Sequence, residues 1–166
     1  VLFRSVEAFL AAGEAPLVFT PGTGHLYVKE FFKAALDATQ RLGRRAIFAT
    51  RQIQDLPSLP DTVLALKYAP FSLLLPRAAA LIYHGGIGTC SQALAAGIPH
   101  LVMAMAHDQP DNANRLRRLG TGLSLKPKHF TGERVAEMLR ALLDNPAVAE
   151  NCRRCAVLMT RQPDLD

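Results

Sequence analysis

Apolar residues in this chain fall into two kinds of run that alternate along its length. Runs of four or five residues at 17–20, 46–49, 62–66, 79–83, 100–104 and 122–125 are too short for helices and read as strands. Between them, apolar positions recur at spacings of three and four. Over 27–42, Phe31, Ala34, Ala35, Ala38 and Leu42 share one helical face, and Gly43 follows as a stop signal. Further helices are predicted at 88–96, closed by Gly97, and at 110–119, closed by Gly120 with Ala113, Leu116 and Leu119 inward. Two more follow, at 131–143, with Val135, Met138, Leu139 and Leu142 on one face, and at 146–160. Residues 70–75 read as a short helical turn, and Pro57 and Pro60 mark a loop. Strands alternating with helices through short connections specify an α/β fold, a parallel sheet of about six strands with helices on both faces. The run at 79–83 is apolar on both sides, as a parallel strand covered on both faces must be. Ligands of such sheets bind beyond the carboxyl ends of the strands. That edge collects residues 22–24, 68–71, 84–89 and 107–109, the polar and glycine clusters of the chain.

Composition narrows the picture only a little. With 166 residues, 49 % hydrophobic and 20 % charged, the chain suits one folded domain and is unlike a disordered one. No apolar run approaches the roughly 20 residues of a membrane span, and no secretory signal is evident. Three cysteines, sparse and odd in number, fit a reducing compartment, so a cytoplasmic location is expected. A net charge of +5 favours anionic ligands or surfaces. The arginines, however, are dispersed as Arg41/Arg44/Arg45, Arg115/Arg117/Arg118 and Arg153/Arg154, late in predicted helices where they oppose the dipole. They read as solvated helix faces, and nucleic acid is not an expected partner. Cys152 and Cys155 have redox-motif spacing, but with Val148 and Met159 they recur at helical spacing and read as core. No second ligand pair suggests zinc, and no acidic motif suggests another metal. Residues 1–5 resemble the translation of a sequencing-adapter end. Residues 1–15 are therefore expected to be artefact and linker, with the domain proper at 16–166.

Two segments carry chemistry. His84-Gly85-Gly86-Ile87-Gly88-Thr89 is a strand-to-helix turn with three glycines. Glycines let the backbone approach a ligand, and the unpaired N–H groups of a helix start carry roughly half a positive charge, which suits a diphosphate. His84 and the Thr89 hydroxyl can donate as well. A plain tight turn is the competing reading, with Thr89 as N-cap and Gln92 completing a capping box. In His107-Asp108-Gln109-Pro110, Asp108 or Gln109 could cap the next helix, with Pro110 at its first position. Alternatively, an acceptor-only carboxylate beside an amide that donates and accepts suits sugar hydroxyls.

The continuous stretch from His84 to Gln109, HGGIGTCSQALAAGIPHLVMAMAHDQ, resembles the donor-binding signature of nucleotide-diphosphosugar glycosyltransferases with the GT-B fold. Bacterial antibiotic, sterol and macrolide glycosyltransferases are similar, as are the rhamnosyltransferases of glycolipid synthesis, through Pro70-Phe71-Ser72 and residues 107–112. The resemblance covers about residues 16–143. It implies the Rossmann-like C-terminal half of a GT-B fold, joined through residues 1–15 to an N-terminal acceptor domain. It further implies that His84, Gly86, Gly88 and Thr89 bind the donor diphosphate, with Gly22 and Thr23 facing it from the first loop. Gln92 would meet the ribose, Tyr68 and Phe71 would frame the base, and Asp108 and Gln109 would hold the sugar. The chain departs from the family pattern at Ala104, in place of a usual proline, at His100, in place of a frequent glutamine, and at Phe71, where plant-type enzymes carry glutamine.

The implied activity is inverting transfer of a hexose from a UDP- or dTDP-sugar to a hydroxyl of a small molecule or lipid. No metal or other cofactor takes part, and the base stands in the other half. No catalytic residue is expected in this chain. His25 falls in the first loop, His100 begins a strand and His129 lies in a late loop. Any peripheral membrane contact would be made through the acceptor half. Two rival readings are a stand-alone nucleotide-sugar-binding subunit that pairs with a separate acceptor subunit, and a sugar-nucleotide epimerase of the same architecture.

Overall fold

The computed structural model describes residues 2–22 and 27–160. Six strands, β1 (Leu17–Thr20), β2 (Ala46–Ala49), β3 (Val63–Leu66), β4 (Ala80–Tyr83), β5 (His100–Met103) and β6 (Gly122–Leu125), form one sheet in the order β3-β2-β1-β4-β5-β6. Every pairing is parallel. The order reverses between β1 and β4, so a crevice opens beyond the carboxyl ends of those two strands. Seven helices connect or flank the strands: α1 (Leu2–Ala11), α2 (Val28–Leu42), α3 (Phe71–Leu74), α4 (Ile87–Ala96), α5 (Gln109–Arg118), α6 (Gly132–Leu143) and α7 (Pro146–Thr160). Short 3-10 turns occur at Ile53–Asp55, Leu75–Arg77 and Pro127–His129.

Strand residues alternate between two cores, one on each face of the sheet. Leu17, Phe19, Phe48, Ile82 and Leu101 point to the face covered by α2 and α6. Val18, Ile47, Leu81, Tyr83 and Val102 point to the face covered by α1, α3, α4 and α5. The first core is aromatic at its centre, with Phe31 stacked on Phe130 at 5.0 Å and Phe32 against Phe48 at 4.9 Å. Burying such rings contributes roughly 1.5–3 kcal/mol each. Gly43 closes α2 in the left-handed region at φ 61°, returning its N–H to the last turn, as the sequence predicts. Cys152 is buried among the core residues. Burial pushes its thiol up to about 11, against the thiolate character that redox chemistry needs.

Residues 2–11, within the segment expected to be artefact and linker, form a helix. Its Leu10 is buried against Leu66, Leu74 and their neighbours in the second core. Arg45, expected on a solvated helix face, clasps this helix. Its guanidinium lies 4.1 Å from the centre of the Phe9 ring and donates to the Phe9 and Glu14 carbonyls. Arg77 adds an ion pair to Glu7 at 2.6 Å. Arg41 and Arg115 follow the expectation, each paired on its own helix with Asp37 and Asp111. Among the described residues no helix is long and apolar enough to cross a membrane, and no group of His, Cys, Asp and Glu is arranged to hold a metal.

Candidate functional site

The carboxyl edge of β1 to β4 borders a cleft of about 650 Å³. Gly22, Tyr68, Phe71, His84, Gly86, Gly88, Thr89 and Gln92, all singled out in the sequence, line it together. Thr23 lies outside the described residues. Parallel pairing sets the level of these groups. Thr20 is opposite Tyr83, so Gly22 and His84 leave adjacent strands within a residue of the same height.

His84 is held between two glycines. A Cβ on Gly22 would lie 2.6 Å from the imidazole Nδ1, and one on Gly86 would lie 2.5 Å from Nε2. Only glycine leaves room for the ring in this position, and Gly22 also takes a φ of 82°. Nδ1 is buried without a hydrogen-bond partner among the described residues. Burial lowers the His84 pKa, and the nearby Asp108 carboxylate opposes that shift. The ring lines the cleft, and a neutral imidazole offers one donor and one acceptor.

Helix α4 starts at Ile87, because Gly86 adopts an extended conformation as N-cap. Thr89 is therefore the third helical residue and not the cap, so the capping box with Gln92 does not form. No side chain satisfies the first turn. Its N–H groups lack intrahelical acceptors, and a ten-residue dipole points at the cleft. Gly88 faces open space, with nothing within 4 Å of an added Cβ. Tyr68 is 71 % exposed and Phe71 is partly buried, giving aromatic surface at the far end of the cleft.

Asp108 and Gln109 do not line this cleft but stand beside it at the start of α5. Asp108 makes no side-chain cap bond. Its Oδ2 accepts from Asn112 Nδ2 at 2.9 Å, and the same amide donates to the Gly85 carbonyl at 2.9 Å. Asn112 thereby ties the Asp108 loop to the glycine turn. Sequence reading missed this residue, although its spacing of four from Asp108 was a usable signal. Gln109 Oε1 is committed to its own loop, accepting from the Met105 and Ala106 N–H groups at 2.9 and 3.3 Å. Its amide NH2 makes no hydrogen bond among the described residues. Thr20, Thr50, Arg51, Gln52, Lys67 and Ser72 also line the cleft and were not anticipated. Except for Ser72 in α3, they are ordinary residues at or just beyond strand ends, and the register brings them together.

Of the other histidines, His100 is fully buried, with Nδ1 3.0 Å from the Tyr83 hydroxyl, and His129 lies on the surface. His25 lies outside the described residues.

A parallel sheet reversed at its centre, with a glycine turn and a bare helix start at the reversal, is a Rossmann-like fold, and the solved structures it superposes on are GT-B glycosyltransferases. The glycosyltransferase SpnP, a spinosyn forosaminyltransferase, superposes with a TM-score of 0.82 at 24 % identity, over 94 % of this chain and 42 % of that one. The calicheamicin glycosyltransferase CalG4 matches with a TM-score of 0.80 at 27 % identity, over 88 % and 39 %. In sequence, the chain is 34 % identical to O-mycaminosyltylonolide 6-deoxyallosyltransferase of Streptomyces fradiae, over 90 % of this chain and 35 % of that protein. It is 40 % identical to aclacinomycin-T 2-deoxy-L-fucose transferase of Streptomyces galilaeus, over 63 % and 24 %. The chain belongs to the family of erythromycin biosynthesis protein CIII-like C-terminal domains, whose model matches residues 33–165. It spans about a third of the length of the first of these relatives.

Proposed function

We propose that this chain is the donor-binding half of an inverting glycosyltransferase that moves a hexose from a UDP- or dTDP-sugar to a hydroxyl of a small molecule or lipid. The observation that carries the reading is the cleft at the bare N-terminus of α4, with His84 seated in its wall between Gly22 and Gly86. A diphosphate lying there meets the N–H groups of the first turn, the Thr89 hydroxyl and the imidazole. The same contacts stabilise it further as it departs with a full charge. The acceptor oxygen forms its bond to the anomeric carbon while the bond to the β-phosphate oxygen breaks. The hydroxyl proton passes to a base in the acceptor half. Gln92 reaches the ribose and Tyr68 and Phe71 flank the base. Asp108 accepts from sugar hydroxyls, and Gln109 donates to them through its amide. This scheme uses no metal or other cofactor. Family membership and the antibiotic sugar transferases among the relatives support sugar transfer as the reaction class.

A transfer assay tests the proposal. Residues 1–166 alone are expected to give no transfer to any acceptor, because the base is assigned to the acceptor half. Supplying an N-terminal acceptor half, fused or in trans, is expected to restore it. Robust transfer by the isolated chain contradicts the division of labour, and hydrolysis or epimerisation without acceptor contradicts the reaction class.

A further inference from the structure

The end of the cleft away from His84 carries positive charge that a diphosphate at α4 does not use. Strands β2 and β3 pair with Ala49 opposite Leu66, and the Thr50 N–H donates to the Leu66 carbonyl at 2.9 Å. Arg51 and Lys67 therefore leave adjacent strands at nearly the same height, and both line the cleft. Both are exposed, and neither is in an ion pair among the described residues, unlike Arg41, Arg77 and Arg115. No aspartate or glutamate lines this cleft. Strands sit about 4.8 Å apart, which puts the end of β3 about 10 Å from the end of β1, across β2. The cations thus stand at the Tyr68 end, a nucleoside's reach from the phosphate turn. Exposed cationic donors beside an aromatic face, with no carboxylate among the described lining residues, suit acceptor oxygens on a ligand seated against that face.

We propose that Arg51 and Lys67 are specificity-determining residues of the donor site that donate to the carbonyl oxygen at C4 of a pyrimidine base. They favour uracil and thymine over cytosine, whose C4 amine turns a donor toward two donors. This inference rests on the reading of the cleft as a nucleotide site.

Calorimetry on the 166-residue chain with UDP, dTDP and CDP tests it, using wild type, Arg51→Met, Lys67→Met and the double variant. UDP and CDP differ at this edge of the base alone, so their affinity ratio isolates the contact. Wild type is expected to bind UDP and dTDP about tenfold more tightly than CDP, the discrimination that a hydrogen bond from a charged donor can set. The double variant is expected to lose most of that ratio by weakening UDP and dTDP. Equal weakening of all three nucleotides means that the two cations only attract anions, and overturns the proposal. So does an unchanged ratio, or a wild type that does not discriminate. A Gly88→Val, Thr89→Val variant run in parallel separates the two levels. If it binds all three nucleotides as wild type does, or if none binds to either protein, the nucleotide reading itself fails and the proposal falls with it.

Discussion

Asp108 could serve a helix or a sugar, and the structure removes the first role. Its carboxylate caps no backbone N–H, and its one side-chain partner, Asn112, keeps the Gly85 carbonyl if Asp108 is lost. Asp108→Ala should therefore leave the fold intact. In an enzyme assembled from both halves, a nucleoside diphosphate should compete as before while turnover with the sugar donor falls about ten- to a hundredfold. That is the scale of a lost hydrogen bond to a charged group, about 1.5–3 kcal/mol. Steady-state kinetics with nucleoside diphosphate as inhibitor make the comparison, and full turnover would remove Asp108 from the sugar site. His100 offers a second test at this scale. Burial pushes its pKa down to about 3, from 6.5 for an ordinary histidine. Between those values the unfolded chain holds a proton that the folded chain refuses, so stability is full above about pH 6.5 and falls as the pH drops. Thermal melts from pH 7 to pH 4 should lose melting temperature more steeply for wild type than for His100→Gln, which keeps an amide within reach of the Tyr83 hydroxyl. Parallel slopes would mean that His100 does not carry the acid sensitivity.

At the scale of elements, the glycines around α4 separate stability from ligand access. Gly22 has a φ of 82° and no room beside His84. Gly22→Ala is expected to cost about 1–3 kcal/mol, lowering the melting temperature by about 2–4 °C for each kcal/mol. Gly88 lies in a helix with open space around it. Gly88→Ala is expected to leave stability unchanged or raise it by about 0.5–1 kcal/mol, while weakening any ligand that needs the bare helix start. Differential scanning fluorimetry with and without nucleotide reads both, and equal destabilisation by the two variants would contradict the geometry. Most of these elements were legible beforehand. Strand periodicity placed β1, β2 and β6 at their observed bounds, because brief apolar runs between turn residues leave few alternatives. Helix α4 begins one residue before the expected 88, and the competing reading of Thr89 as cap fails because the extended backbone of Gly86 decides where the helix begins. Helix α1 was missed because Arg45, Arg77 and the core around Leu66 hold it, all distant in sequence. Arg51 and Lys67 were invisible for the same reason. Nothing local marks them, and the β2–β3 register alone puts them side by side.

As a whole, the molecule is a parallel sheet whose carboxyl edge gathers a histidine, a bare helix start, aromatic surface and two cations into one cleft; among the described residues the cations form no ion pair and no carboxylate lines the cleft. The Asp108 loop, proposed to face the sugar, stands next to it, tethered through Asn112. On the proposed reading this edge grips a nucleotide diphosphate by itself, while chemistry on the sugar needs an acceptor and a base from across the cleft. The most direct measurement of this account is calorimetric titration of residues 1–166 with UDP and dTDP at up to millimolar concentration, against the Gly88→Val, Thr89→Val double variant. The account predicts saturable binding to wild type and at least tenfold weaker binding to a variant that remains folded, as expected when a helix start loses about 1.4 kcal/mol or more of anion contact. Equal heats of binding from the two proteins would contradict it.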